Sequence, residues 1–145
     1  MRVDAMLPVL QERLAITRRD APLAEVATML AKTKHDLLVV CDGVGFALGV
    51  ITRSDVVRHL SVAGDSLAPA EDLMSTSVFA CSIADDLMST WQDMHRRGLN
   101  NMPVLNGRRI PVGILGERDA LAALLSAEQE QETTLIDYIA GFGYR

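Results

Sequence analysis

The heptapeptide GVITRSD at residues 49–55 returns as GILGERD at 113–119, and this internal echo restricts the possible folds more than any other feature of the chain. The correspondence holds at a constant offset of 64 residues: Gly43 meets Gly107, Val40 meets Val104, Leu23 meets Leu87, Leu30 meets Met94 and Leu60 meets Leu124. Two copies of one unit therefore lie in tandem, over residues 5–62 and 71–125, followed by a helical tail at 126–145. The stretch VAGDSLAPAE at 62–71 reads as the linker between them.

Each copy carries the same order of periodicities. Leu23, Val26, Ala27 and Leu30 stand at i, i+3, i+4 and i+7, an apolar helical stripe that Leu87, Trp91 and Met94 repeat. A short apolar run follows, LLVVC at 37–41 or MPVL at 102–105, then Asp42-Gly43 or Asn106-Gly107, then a second run ending in GVI or GIL. Two adjacent strands joined by a turn are expected there. The closing helix begins near residue 54 or 118, with Val56, Val57 and Leu60, or Ala120, Leu121, Leu124 and Leu125, expected on its inner side. With short leading strands near 14–17 and 78–81, the order is strand, helix, strand, strand, helix, twice. The fold class is α+β. A three-stranded sheet with two helices leaves one sheet face uncovered, so two pseudo-symmetric repeats (β-α-β-β-α) are expected to pack sheet to sheet into one module.

Composition narrows the function classes. The chain has 145 residues, 49% apolar and 23% charged, with a formal net charge of −5, and its basic residues are dispersed, so no nucleic acid or anionic membrane is expected as partner. MRVDAMLPVLQERL at the start has no signal-length apolar run, and no later stretch approaches a membrane span. The expectation is a cytoplasmic protein. Cys41 and Cys81 lack a second thiol or histidine at zinc spacing and read as small buried hydrophobes. His35, His59 and His95 share no metal-ligand spacing, so no metal site is expected. No nucleophile elbow, P-loop or dinucleotide fingerprint is present. No catalytic residue and no catalytic cofactor are expected, and the chain reads as a non-enzyme.

The paired repeat, its element order and the GVITRSD segment opening the last helix resemble a tandem CBS domain, the module named after cystathionine beta-synthase. The resemblance covers about residues 5–125, and its Gly-x-x-Thr-x-x-Asp signature gains specificity from recurring at the repeat offset. It implies a regulatory module that binds an adenosine-containing ligand (AMP, ADP, ATP or S-adenosylmethionine) in clefts between the repeats, forms a homodimer and signals to a regulated protein that remains to be named. It further implies that Asp55 holds ribose hydroxyls and that Thr52 and Arg53 meet phosphate, while Met74, Phe79, Leu99 and Asn100 of the second copy form the base pocket opposite. For the other cleft it implies Asp119 facing Leu10, Ala15, His35 and Asp36.

Elementary chemistry allows two roles for Thr52 and Asp55. A helix N-terminus offers unpaired N–H groups to phosphate, and a carboxylate accepts two hydrogen bonds from a vicinal diol. Thr52 three residues before Asp55 is equally a capping arrangement that satisfies the helix end. The alternative to a nucleotide sensor is accordingly a ligand-free structural dimerisation module. The copies also differ: Gly116 stands in place of Thr52 and Glu117 in place of Arg53, so the Asp119 cleft is expected to bind weakly, to prefer a less anionic adenosine, or to stay empty. Three arginine pairs, Arg18–Arg19, Arg96–Arg97 and Arg108–Arg109, either line a cleft or are solvated. The tail ends in Ile136, Tyr138 and Ile139, which either pack on protein or fray.

Overall fold

The computed structural model describes residues 1–32, 37–62, 64 and 66–144, with side chains up to residue 131. The first repeat comprises β1 (Ile16–Arg18), α2 (Leu23–Lys32), β2 (Leu38–Cys41), β3 (Ala47–Ile51) and α3 (Arg53–Val62). The second comprises β4 (Cys81–Ser82), α5 (Leu87–Arg97), β5 (Asn101–Leu105), β6 (Pro111–Gly116) and α6 (Glu117–Tyr144). Two further helices, α1 (Leu7–Glu12), reached through a 3-10 turn at Val3–Met6, and α4 (Ala70–Leu73), precede the leading strands β1 and β4. Sequence periodicity missed both because each is too short to establish an apolar stripe.

Each sheet has three strands, with a parallel leading pair and an antiparallel hairpin, β1-β2-β3 and β4-β5-β6. Strand β2 is buried on both faces, and its alternation sorts the residues: Leu38 and Val40 join the first repeat's core, whereas Val39 and Cys41 meet Ile114 of the other sheet. That second cluster is the sheet-to-sheet contact expected from the repeat. The leading strands begin later than expected. Asp85 ends β4 by accepting from Ser82 N at 2.8 Å, and residues 77–80 make no ladder.

The hairpins are held by an acceptor rather than by a tight Gly turn. Asp42 Oδ1 accepts from the N–H groups of Val44, Gly45 and Phe46, bonds led by Phe46 that hold its carboxyl below the usual range. Asn106 Oδ1 does the same for Arg108 and Ile110. The positive φ falls on Gly45 and its counterpart Arg109, not on Gly43. In α5, Asp86 caps the N-terminus through Ser89 N at 3.0 Å, and Gly98, in the left-handed region, closes the C-terminus.

The lead-in segments are exchanged between the repeats. Val3, Met6 and Leu10 are buried in the second repeat's core with Leu87, Met94 and Leu115; Ala70 and Leu73 are buried in the first repeat's core with Leu23, Val26 and Ile51. Backbone bonds fix both crossings: Val3 N to Asp85 O and Leu87 N to Met1 O on one side, Ala70 N to Ala21 O and Leu23 N to Ala68 O on the other. Each lead-in then passes over a strand at a glycine. A Cβ on Gly113 would lie 2.5 Å from Leu10 Cβ and 2.8 Å from its backbone, and one on Gly49 would lie 2.6 Å from Ser75 O. Leu10, expected in a ligand pocket, is instead completely buried under Gly113.

The closing helices face inward less than expected. Val56 and Ala120 are buried, but Val57, Leu60, Leu121 and Leu125 are exposed, Val57 by 65%. Among the described residues no helix is long and apolar enough to cross a membrane.

Gly113→Ala and Gly49→Ala should each lower unfolding free energy by about 2–3 kcal/mol through overpacking against backbone, read from urea midpoints. Gly43→Ala, with open space around it, should change stability by less than about 0.5 kcal/mol. Burial raises the Cys41 thiol and pushes Cys81 up to about 12. Both thiols should resist iodoacetamide at pH 8 until urea unfolds the chain, because the reactive thiolate is scarce and enclosed.

Candidate functional site

Asp55 sits in the first turn of α3, where the strand-to-helix transition leaves the first N–H groups without intrahelical partners. Its Oδ2 accepts from Thr52 N at 2.8 Å and Thr52 Oγ1 at 3.1 Å, and Thr52 Oγ1 lies 3.3 Å from Asp55 N as its acceptor. Arg58 reaches the other oxygen at 3.2 Å. The carboxylate, 13% exposed, thus closes a reciprocal cap. Both roles allowed by the sequence use the same atoms, and the structure displays the capping one.

Beside this cap lies a cavity of about 310 Å³. The first repeat contributes Leu37, Val50, Thr52 and Ser54 to it, and the second contributes Ser77, Phe79, Leu99, Asn100 and Asn101. Of the residues expected to share a site, Thr52, Phe79, Leu99 and Asn100 line this one space, with Asp55 adjoining through Thr52. Arg53 and Met74 are engaged elsewhere. The Arg53 guanidinium donates to Leu30 O at 3.1 Å, on the C-terminal turn of α2, and Met74 packs across Gly49.

The cavity combines an apolar wall with a few polar groups. Phe79 is half exposed, and the Arg97 guanidinium carbon stands 4.4 Å over its ring. Arg97 is itself anchored on Asp93, whose carboxyl is held below its usual range by Arg97 and then by Arg96. The pair Arg96–Arg97 therefore divides, Arg96 remaining largely solvated on Asp93 and Arg97 standing at the cavity rim. Asn101 Oδ1 is buried and has no hydrogen-bond partner among the described residues. Sequence reasoning passed over Asn101, Ser54 and Ser77, since nothing local separates them from ordinary strand, helix and loop residues.

The other cleft is arranged differently. Asp119, at the start of α6, meets Arg13: Nη2 donates to Oδ1 at 3.3 Å, and Nε lies 3.2 Å from Oδ2, an ion pair too oblique to be a second hydrogen bond. Glu117 pairs with His95 Nδ1 at 3.0 Å, and His95 stacks on Trp91. Ala15 packs on the first repeat's core, its carbonyl accepting from Val39 N. His35 and Asp36, expected in this cleft, lie outside the described residues.

A wider depression of about 460 Å³ lies by the 42–45 hairpin and Ile110. Its charged groups are already engaged, Arg18 by Asp20 and Glu25, and Asp42 by its own loop. Among the described residues no three His, Cys, Asp or Glu side chains gather as a metal site.

A protein from Acidianus ambivalens, an uncharacterized 17.7 kDa product of the bps2 3′ region, is 24% identical over 131 residues, which cover 90% of this chain and 79% of that protein. The CBS domain pair of MJ0100, solved in complex with 5′-methylthioadenosine and S-adenosyl-L-methionine, superposes with a TM-score of 0.72 at 20% identity, covering 88% of this chain and 98% of that one. The CBS-domain containing protein ATU1752 from Agrobacterium tumefaciens gives 0.72 at 22% identity, covering 85% and 98%. At these identities the likeness to the two solved structures is one of fold. The CBS domain family itself matches residues 7–62 and again 70–126, in register with the two repeats, and the chain belongs to that family as a tandem CBS pair.

Proposed function

We propose that this CBS pair is a regulatory module that binds one adenosine-containing ligand, an adenine nucleotide or S-adenosylmethionine, in the cavity between Thr52 and Phe79. The observation that carries the reading is that both repeats wall a single cavity at the N-terminus of α3. Its volume of about 310 Å³ falls at the lower end for small-molecule sites, which are commonly clefts of roughly 300–1,000 Å³. The complex of MJ0100 with 5′-methylthioadenosine and S-adenosyl-L-methionine supports the ligand class.

On this reading the purine lies against Phe79 and Leu99, and Asn101 Oδ1 accepts from its amino group. Asp55 releases Thr52 N and accepts the ribose diol, while the first turn of α3 receives phosphate or carboxylate. The ligand thereby touches both repeats and favours the inter-repeat geometry to which it binds more tightly, a population shift that a partner protein reads. Val57 and Leu60 on α3, with Leu121 and Leu125 on α6, offer exposed apolar area for a homodimer. No catalytic step is part of the proposal, and the module acts in the cytoplasm. One observation favours a second reading, a scaffold without ligand: the carboxylate of Asp55 is satisfied by its own helix end.

Thermal shift with AMP, ADP, ATP, S-adenosylmethionine and 5′-methylthioadenosine separates the two. A ligand at a hundredfold excess over Kd should stabilise the chain by about 2.7 kcal/mol, and no shift with any of them at millimolar concentration leaves the scaffold. Asp55→Ala should cost about 1 kcal/mol as a lost cap and also abolish the shift. Phe79→Ala is the cleaner variant, because the ring is half exposed: calorimetry should show affinity falling about tenfold, roughly 1.4 kcal/mol, at unchanged ligand-free stability.

A further inference from the structure

We propose that Arg13 is a built-in plug of the second inter-repeat cleft, limiting this chain to one nucleoside-type ligand per pair of repeats. The inference rests on the reading of the first cleft given above and adds the residue that decides stoichiometry. The 64-residue offset places Arg13 where Ser77 stands in the first cleft, Gly116 where Thr52 stands, Asp119 where Asp55 stands and Ala15 where Phe79 stands. Geometry bears out the offset, since Leu10 crosses Gly113 as Met74 crosses Gly49. Ser77, short and uncharged, lines the open cavity and leaves Asp55 to its own helix cap. Arg13 instead places its guanidinium on the carboxylate of Asp119, at the helix start that corresponds to the Asp55 site.

The position of Arg13 is set by the fold. It is the C-cap residue of α1, with its N–H on Val9 O, and α1 is fixed by Leu10 beneath Gly113. Both partners are mostly withdrawn from water, Arg13 19% and Asp119 22% exposed, so their charge-assisted contact is less screened than a surface pair. Glycine at 116 offers no hydroxyl, so the carboxylate lacks the side-chain cap that Asp55 has with Thr52. A ribose diol competing for Asp119 must displace a guanidinium that is only 19% exposed and strand it in a half-buried setting, whereas at Asp55 it displaces a neighbouring N–H and hydroxyl and an Arg58 that is 71% exposed and can swing into water. The side with glycine in place of Thr52 also has alanine, Ala15, in place of the Phe79 ring.

Isothermal titration calorimetry of the intact chain with AMP, and separately with 5′-methylthioadenosine, tests this by counting sites. The wild type should bind one ligand per chain and Asp55→Ala none. Arg13→Met, which keeps the aliphatic stem and removes the charge, should bind two. Arg13→Met with Asp55→Ala should bind one, lost again on adding Asp119→Ala. Arg13→Gln reads the same counts should Arg13→Met not fold. One site in both wild type and Arg13→Met overturns the plug and leaves the first-cleft reading intact, and two sites in the wild type also overturn it. No binding by the wild type with one site in Arg13→Met upholds the plug and defeats the first-cleft reading. No binding by any variant overturns both.

Discussion

Two close backbone crossings hold the molecule in one arrangement. At Gly49 and Gly113 a strand of one repeat admits the lead-in segment of the other to a distance that a Cβ would forbid. These crossings couple the halves more tightly than a sheet-to-sheet contact alone, since each core is completed by residues that precede the opposite repeat. Neither repeat has its full core without the other's lead-in. The 64-residue duplication thus yields one cooperative body in place of two beads on a linker.

The same exchange creates the cavity. Chain leaving α4 runs over β3 at Ser75, where Val50 and Ser75 exchange two backbone hydrogen bonds, and then delivers Ser77 and Phe79 to the N-terminus of α3. The segment following α1 delivers Arg13 to the N-terminus of α6 by the corresponding route. What differs is the side chain carried to the spot, a serine in one case and an arginine in the other. A symmetric backbone therefore produces two chemically unequal helix starts, one beside a cavity and one carrying the Arg13–Asp119 ion pair.

Thr52 and Asp55 form a reciprocal cap at the start of α3, and the proposed binding site uses the same atoms. An N-cap carboxylate must be held where it accepts from backbone N–H groups, and that location also faces whatever approaches the helix end. Under the proposed function, exchange of partners at Asp55 would link ligand occupancy to the packing of α3.

Much of the architecture was legible in residue order. The repeat, its helical stripes and paired apolar runs follow from local periodicity, which reports which side of an element is apolar. The repeat and the family it resembles also singled out Thr52, Phe79, Leu99 and Asn100, which line one cavity. The lead-in helices, the burial of Leu10 and the outward turn of Val57 and Leu60 were not legible, because a short helix has no period and an apolar side chain does not state which neighbour will cover it. Arg13 was silent for a related reason: its partner lies 106 residues away, and only the exchanged crossing brings the two within 3.3 Å. Local pattern settles which faces must be buried. Which distant groups meet is settled by the route the backbone takes between those faces, and here that route passes over two glycines.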